Sequence, residues 1–127
     1  GSLVKVSLGE KDNPPQRIGA LKLNSRFRYL EHTFGMDDAG YAYFGTTSGG
    51  DADAAVLKIA LGKEGELPRL VSSMPLPPDV AFIAEGIVDP ISRILCLGMG
   101  SADCKLLKLS LQEGDAPPKI LGATKLY

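Results

Sequence analysis

The chain has 127 residues, 14 basic against 15 acidic side chains, a formal net charge of -1 and 44% hydrophobic residues, the balance of one ordinary domain and too short for two. With no surplus of Lys and Arg to neutralise phosphates, nucleic acid is not an expected partner. Membrane insertion is not expected either, because the longest uncharged apolar stretches, such as Val80 to Ile83 and Ile94 to Met99, fall far short of the roughly 18 residues that span a bilayer.

Taken in chain order, Gly1-Ser2 reads as the scar of a cleaved tag, which puts the native start and any signal peptide outside this sequence. Val4-Lys5-Val6-Ser7-Leu8 alternates apolar and other residues at period two, the mark of a half-buried strand. Pro15 to Leu23 (PQRIGALKL) follows a turn rich in Gly, Asp and Pro. Phe27 to Phe34 (FRYLEHTF) and Tyr41 to Gly45 (YAYFG) come next, joined through Met36-Asp37-Asp38. The pattern then returns, Leu57-Lys58-Ile59-Ala60-Leu61 repeating the first stretch and Pro68 to Leu76 (PRLVSSMPL) the second. Val80 to Ile87 (VAFIAEGI) and Ile94 to Gly98 (ILCLG), linked by Val88-Asp89-Pro90, repeat the third and fourth with a displacement of 53, and aligning Asp37 with Asp89 needs a shift of one residue. Leu107-Lys108-Leu109-Ser110-Leu111 and Pro118 to Leu126 (PKILGATKL) complete the series.

Lys5, Lys58 and Lys108 are 53 and 50 residues apart, and each is followed by the final Leu of the next stretch 18 residues later. The shorter second period is taken up between strands, where Thr46 to Ala55 is longer than Met99 to Lys105. No apolar run exceeds about eight residues before a Gly, Pro or Asp, whereas a helix wants roughly 10 to 12, so every stretch is predicted as a strand. Labelling the four strands of a unit A to D, residues 1–26 supply strands C and D, and residues 27–79 and 80–127 supply full sets.

A period near 50 with four antiparallel strands is the spacing of β-propeller blades. The chain has no Trp and no Gly-His with Trp-Asp, which argues against WD40, and Gly49-Gly50 occurs in one copy only, which argues against kelch. Gly40-Tyr41-Ala42-Tyr43-Phe44-Gly45-Thr46 followed by Ala55-Val56-Leu57-Lys58-Ile59 resembles the propeller repeats with a YAYFGT and VVKI core, akin to the NHL and YVTN groups. The resemblance covers nearly the whole chain and implies an all-β fold of about two and a half four-stranded blades, a partial propeller. Ile94-Leu95-Cys96-Leu97-Gly98-Met99 departs from it by replacing the aromatic and Thr positions. Two and a half blades leave apolar faces open, so the expected partners are the remaining blades of a larger parent protein or further copies of this chain, together with a protein partner.

His32, beside Glu31 near the end of a strand A, and the repeat-equivalent Glu85 are the channel or ligand candidates, since first strands line a propeller axis. One His without a ligand cluster gives metal no partners, so a structural or solvated role is the preferred reading, with no cofactor or metal expected. Asp51 and Asp53 start like a calcium loop but lack its further ligands. Asp37, Asp38 and Asp89 are read as turn residues that bond their own backbone. The glycines of Gly98-Met99-Gly100-Ser101 are expected to supply positive φ in a hairpin turn rather than a phosphate cradle. Cys96 and Cys104 are expected to be reduced, with only Cys96 buried and lying opposite Leu107, while the compartment stays open. The expected function is a non-catalytic scaffold for protein or ligand recognition through its loops; the alternative is part of a propeller enzyme, a lactonase-like hydrolase or a quinoprotein-like oxidoreductase.

Overall fold

The computed structural model describes residues 1–27, 29–47, 49, 54–80, 82–100 and 104–126. Among them, ten strands form three antiparallel sheets. β1 (Ser2–Ser7) pairs with β2 (Gln16–Lys22). A meander follows of β3 (Leu30–Met36), β4 (Tyr41–Thr46), β5 (Ala55–Ala60) and β6 (Arg69–Pro75). A second meander consists of β7 (Phe82–Asp89), β8 (Ile94–Gly100), β9 (Lys105–Ser110) and β10 (Lys119–Lys125). The class is all-β as expected, with a two-stranded unit ahead of two four-stranded ones.

The sequence repeat is carried down to single backbone bonds. The amides of Leu23, Leu76 and Leu126 donate to the carbonyls of Gly1, Ala54 and Cys104, three equivalent pairs that close the outer strands. A β-bulge interrupts the pairing of the last two strands at the same place in every unit, beside Ile18, Val71 and Leu121. A second shared bulge leaves Glu31 and Ala84 without a ladder partner. β3 has one further bulge, between Thr33 and Gly35, that β7 lacks. That extra residue, with Gly35 at φ 126, is why Asp37 and Asp89 align only after a one-residue shift.

Two strands begin later than the apolar pattern suggests. Phe27 belongs to a 3-10 turn, Ser25–Phe27, set by the Asn24 side chain accepting the Arg26 amide, and β3 starts only at Leu30. Val80 lies in a turn closed by its amide on the Pro77 carbonyl, ahead of β7 at Phe82. Both residues are buried. Their burial makes them look like strand positions, while the Asn and Pro turn chemistry decides the backbone.

The β3–β6 sheet is covered on both faces. Leu57 and Ile59 of β5 pack with Leu23, Phe27, Leu3 and Leu21 on the β1–β2 side. Val56 and Tyr43 pack with Leu95, Leu97, Leu107 and Leu109 on the β7–β10 side. Each such aliphatic side chain contributes about 1.5–3 kcal/mol when fully buried. The two four-stranded sheets lie nearest each other along β3 and β7. Glycines make that approach possible: the Phe34 ring comes within 2.5 Å of where a Cβ would stand at Gly45 and at Gly86.

Gly98 and Gly100 correct an expectation. They lie inside β8, and neither is among the glycines with positive φ. A Cβ at Gly100 would fall on the ring of Phe82, which is 50% exposed, so this glycine is a seat for that ring and not a turn residue. Ser101 lies outside the described residues.

Candidate functional site

Glu31 and His32 stand on β3, where the Glu31 carboxylate is 3.9 Å from His32 Nε2 and half exposed. His32 is paired with Gly45, and at the matching place in β7 Glu85 is paired with Gly98. Glu85 accepts the amide of its own neighbour, Gly86, at 3.0 Å. Among the described residues no hydrogen bond or ion pair joins Glu85 to Glu31 or His32, and no group of His, Cys, Asp or Glu could hold a metal ion. Asp51 and Asp53 lie outside the described residues.

The polar chemistry is concentrated where each sheet meets the next. Lys58, on β5, is fully buried. Its ammonium donates to the carbonyls of Gln112 at 2.7 Å, Gly114 at 2.5 Å and Ala116 at 3.2 Å, all in the turn between β9 and β10 of the following sheet. The Tyr41 ring caps it, with its centroid 4.2 Å away. One junction earlier, Lys5 of β1 does the same. It donates to the carbonyls of Leu61 at 2.8 Å, Lys63 at 2.6 Å and Glu66 at 2.9 Å in the turn between β5 and β6. An ammonium has three N–H donors and no acceptor, so the three carbonyls match the full donor capacity of Lys58. These lysines are latches between sheets.

A carboxylate network surrounds the Lys58 latch. The Tyr41 hydroxyl donates to Asp115 at 3.2 Å, and Arg69 reaches the other oxygen of the same carboxylate at 3.3 Å. Asp37 accepts the amides of Ala39 and Tyr41, each at 3.0 Å, and its second oxygen takes the Tyr43 hydroxyl at 2.7 Å. Asp89 likewise accepts the amides of Ile91 and Ser92, so the turn reading of Asp37 and Asp89 is realised in the fold, whereas Asp38 is an exposed neighbour. Burial pushes the Lys58 ammonium below the usual lysine range, with Asp37 and Asp115 opposing it.

Burial raises Tyr43 well above the usual tyrosine range, and its hydrogen bond to the Asp37 carboxylate adds to this. The folded chain therefore holds the Tyr43 proton at pH values where the unfolded chain has released it, so this group contributes less stability as pH rises above about 10. In an ultraviolet titration Tyr43 is expected to ionise only together with unfolding, and the Tyr43→Phe variant to lose that late step. A Tyr43 signal that ionises at the ordinary tyrosine pH in a still-folded chain would contradict the assignment.

The cysteines depart from expectation in burial and in register: Cys104 is half-buried like Cys96, so burial does not distinguish them. Both are free thiols, but Cys96 is half-buried and paired with Lys108, while Leu107 faces Leu97. A one-residue error of register turns a side chain to the opposite face. Cys96 consequently stands on the outward side of the β7–β10 sheet, and Leu95, Leu97 and Met99 take the buried side.

In sequence Lys5, Lys58 and Lys108 mark only the repeat; the fold gives Lys5 and Lys58 their role at the junctions. The available signal was the charge itself: a Lys at one place in otherwise apolar strands requires acceptors, and a sheet's own ladder supplies none. Compared with known protein families, curated proteins and solved structures, the chain finds no match.

Proposed function

We propose that this chain is part of a β-propeller that serves as a non-catalytic scaffold, recognising a protein or ligand through its turns. The observation carrying this reading is that successive, equally built sheets stack in chain order and come closest along their first strands, β3 and β7. Sheets that converge at one edge fan around an axis, as blades do, whereas sheets of a sandwich keep a constant separation of about 10 Å. The turns that join first to second and third to fourth strands emerge at one end of each meander. There the Asp37 and Asp115 networks hold them rigid, a suitable frame for a recognition surface.

Small-angle scattering of the protein tests the arrangement. The expected profile fits a fan of sheets converging on β3 and β7. A profile that fits only a flat stack of parallel sheets would remove the propeller, and with it the scaffold reading.

A further inference from the structure

The two junctions inside the chain are built from the same parts, and each part occurs once more without its counterpart. The donor is the lysine of a third strand and the acceptor is the turn of the following unit. Lys108 is the third donor. It is exposed on β9 and makes no hydrogen bond or ion pair among the described residues. The third acceptor is the turn from Leu8 to Pro15, into which no lysine donates among the described residues.

That acceptor is already folded in the receptive shape. The Asn13 amide donates to the Glu10 carbonyl at 3.1 Å, as Glu66 does to Lys63 at 3.1 Å and Ala116 to Glu113 at 3.4 Å in the two occupied turns. Gly9 at φ 74 matches Gly62 at φ 68 in one occupied turn, and Lys11 at φ 51 matches Gly114 at φ 56 in the other. Lys11 holds a left-handed backbone that a non-glycine residue seldom adopts.

The apolar surfaces complement each other in the same way. Val4 and Val6, exposed at 55% and 47%, occupy the repeat positions where Leu57 with Ile59 and Leu107 with Leu109 are buried against a preceding sheet. Around Lys108 the outward side of β7–β10 carries a shallow groove of about 430 Å³ lined by Cys96, Leu106 and Leu121. It corresponds to the side of β3–β6 that Val56 and Lys58 present to the next sheet.

We infer that a second copy of this chain docks head to tail on this face, the β1–β2 unit of one copy covering β9 and β10 of the other. Lys108 then donates into the carbonyls of the partner's turn between β1 and β2. The inference rests on reading the sheets as successive repeat units and needs no closed ring. Because the two surfaces differ, the contact is heterologous and leaves a pair of copies with a free acceptor on one and a free donor on the other.

The test uses variants that block one surface each, Lys108→Glu for the donor and Val6→Glu for the acceptor, with Lys108→Gln as a milder donor block. Circular dichroism checks that each keeps the β-signal. In sedimentation velocity the wild-type chain is expected to associate with rising concentration, and each Glu variant to remain a monomer. Lys108→Gln is expected to weaken association about tenfold or more, the loss of a charge-assisted latch. An equimolar mixture of Lys108→Glu and Val6→Glu retains one intact surface on each partner and is expected to stop at a dimer. A wild-type chain that stays monomeric at every concentration overturns the inference, as does association unaffected by Lys108→Glu or a mixture that forms no dimer. Scattering from the monomeric variants reports the fan of sheets separately, so failure of this contact and failure of the propeller arrangement give different results.

Discussion

Lys58→Ala is expected to lower the stability of the folded chain by about 3 kcal/mol, because removing the ammonium leaves the carbonyls of Gln112, Gly114 and Ala116 without their donor at a buried junction. The cost also includes the ring contact with Tyr41 and the packing of the four-carbon stem. Lys58→Met keeps most of the stem and loses the ammonium with its three hydrogen bonds, so its loss is expected to be smaller and the difference between the variants to measure packing. For a chain of 127 residues such a change lowers the melting temperature by roughly 10 °C. Thermal melts followed by circular dichroism read it directly. If Lys58→Ala melts like the wild type, the lysines do not hold the sheets together. Lys5→Ala is expected to cost less, since Lys5 is only half-buried and water can take its place on the turn carbonyls.

Gly86→Ala is the second large effect, and its origin is steric. A Cβ there would stand 2.5 Å from Phe34 Cδ1 and 2.6 Å from Leu97 Cδ2, both side chains of the core between the two four-stranded sheets. The same ring is fitted to Gly45 on its own sheet, where an added Cβ would stand 2.5 Å from Cζ. Forcing the sheets apart where β3 meets β7 is expected to cost about 2–3 kcal/mol. Phe34→Leu should relieve part of the clash, so the added cost of Gly86→Ala in that background is expected to fall, and denaturant melts of the four proteins give the coupling. Equal costs in both backgrounds would mean that the ring is not what the glycine accommodates.

Strand number and order were legible because they follow from local chemistry. Apolar residues at period two demand a pleated backbone, and Gly, Pro and Asp clusters end it whatever lies beyond. The three copies of one 18-residue offset in turn require equivalent hairpins, and the pairs Leu23 with Gly1, Leu76 with Ala54 and Leu126 with Cys104 are that requirement met. The candidate site was hardly legible. Glu31, His32 and Glu85 stood out for their chemistry, yet the chain directs its organised polar contacts to Lys5 and Lys58, whose acceptors lie 56 or more and 54 or more residues away, respectively.

Which face of a strand is buried depends on a neighbour that the strand's own residues do not encode. Val4, Val6 and Leu8 have the same alternation as Leu57, Ile59 and Leu61, but the first set is exposed, since no sheet among the described residues covers that side of β1, while Leu57 and Ile59 are enclosed by β1–β2. Cys96 illustrates the same dependence from the other end of the stack. Its place in an apolar run identifies a strand, but pairing with Lys108 puts it on the uncovered side. Periodicity is a property of a few consecutive residues and can be read from them; burial and the partner of a charge are set by sheets stacked from distant parts of the chain, because the hydrophobic effect responds only to the surface that a neighbour removes from water.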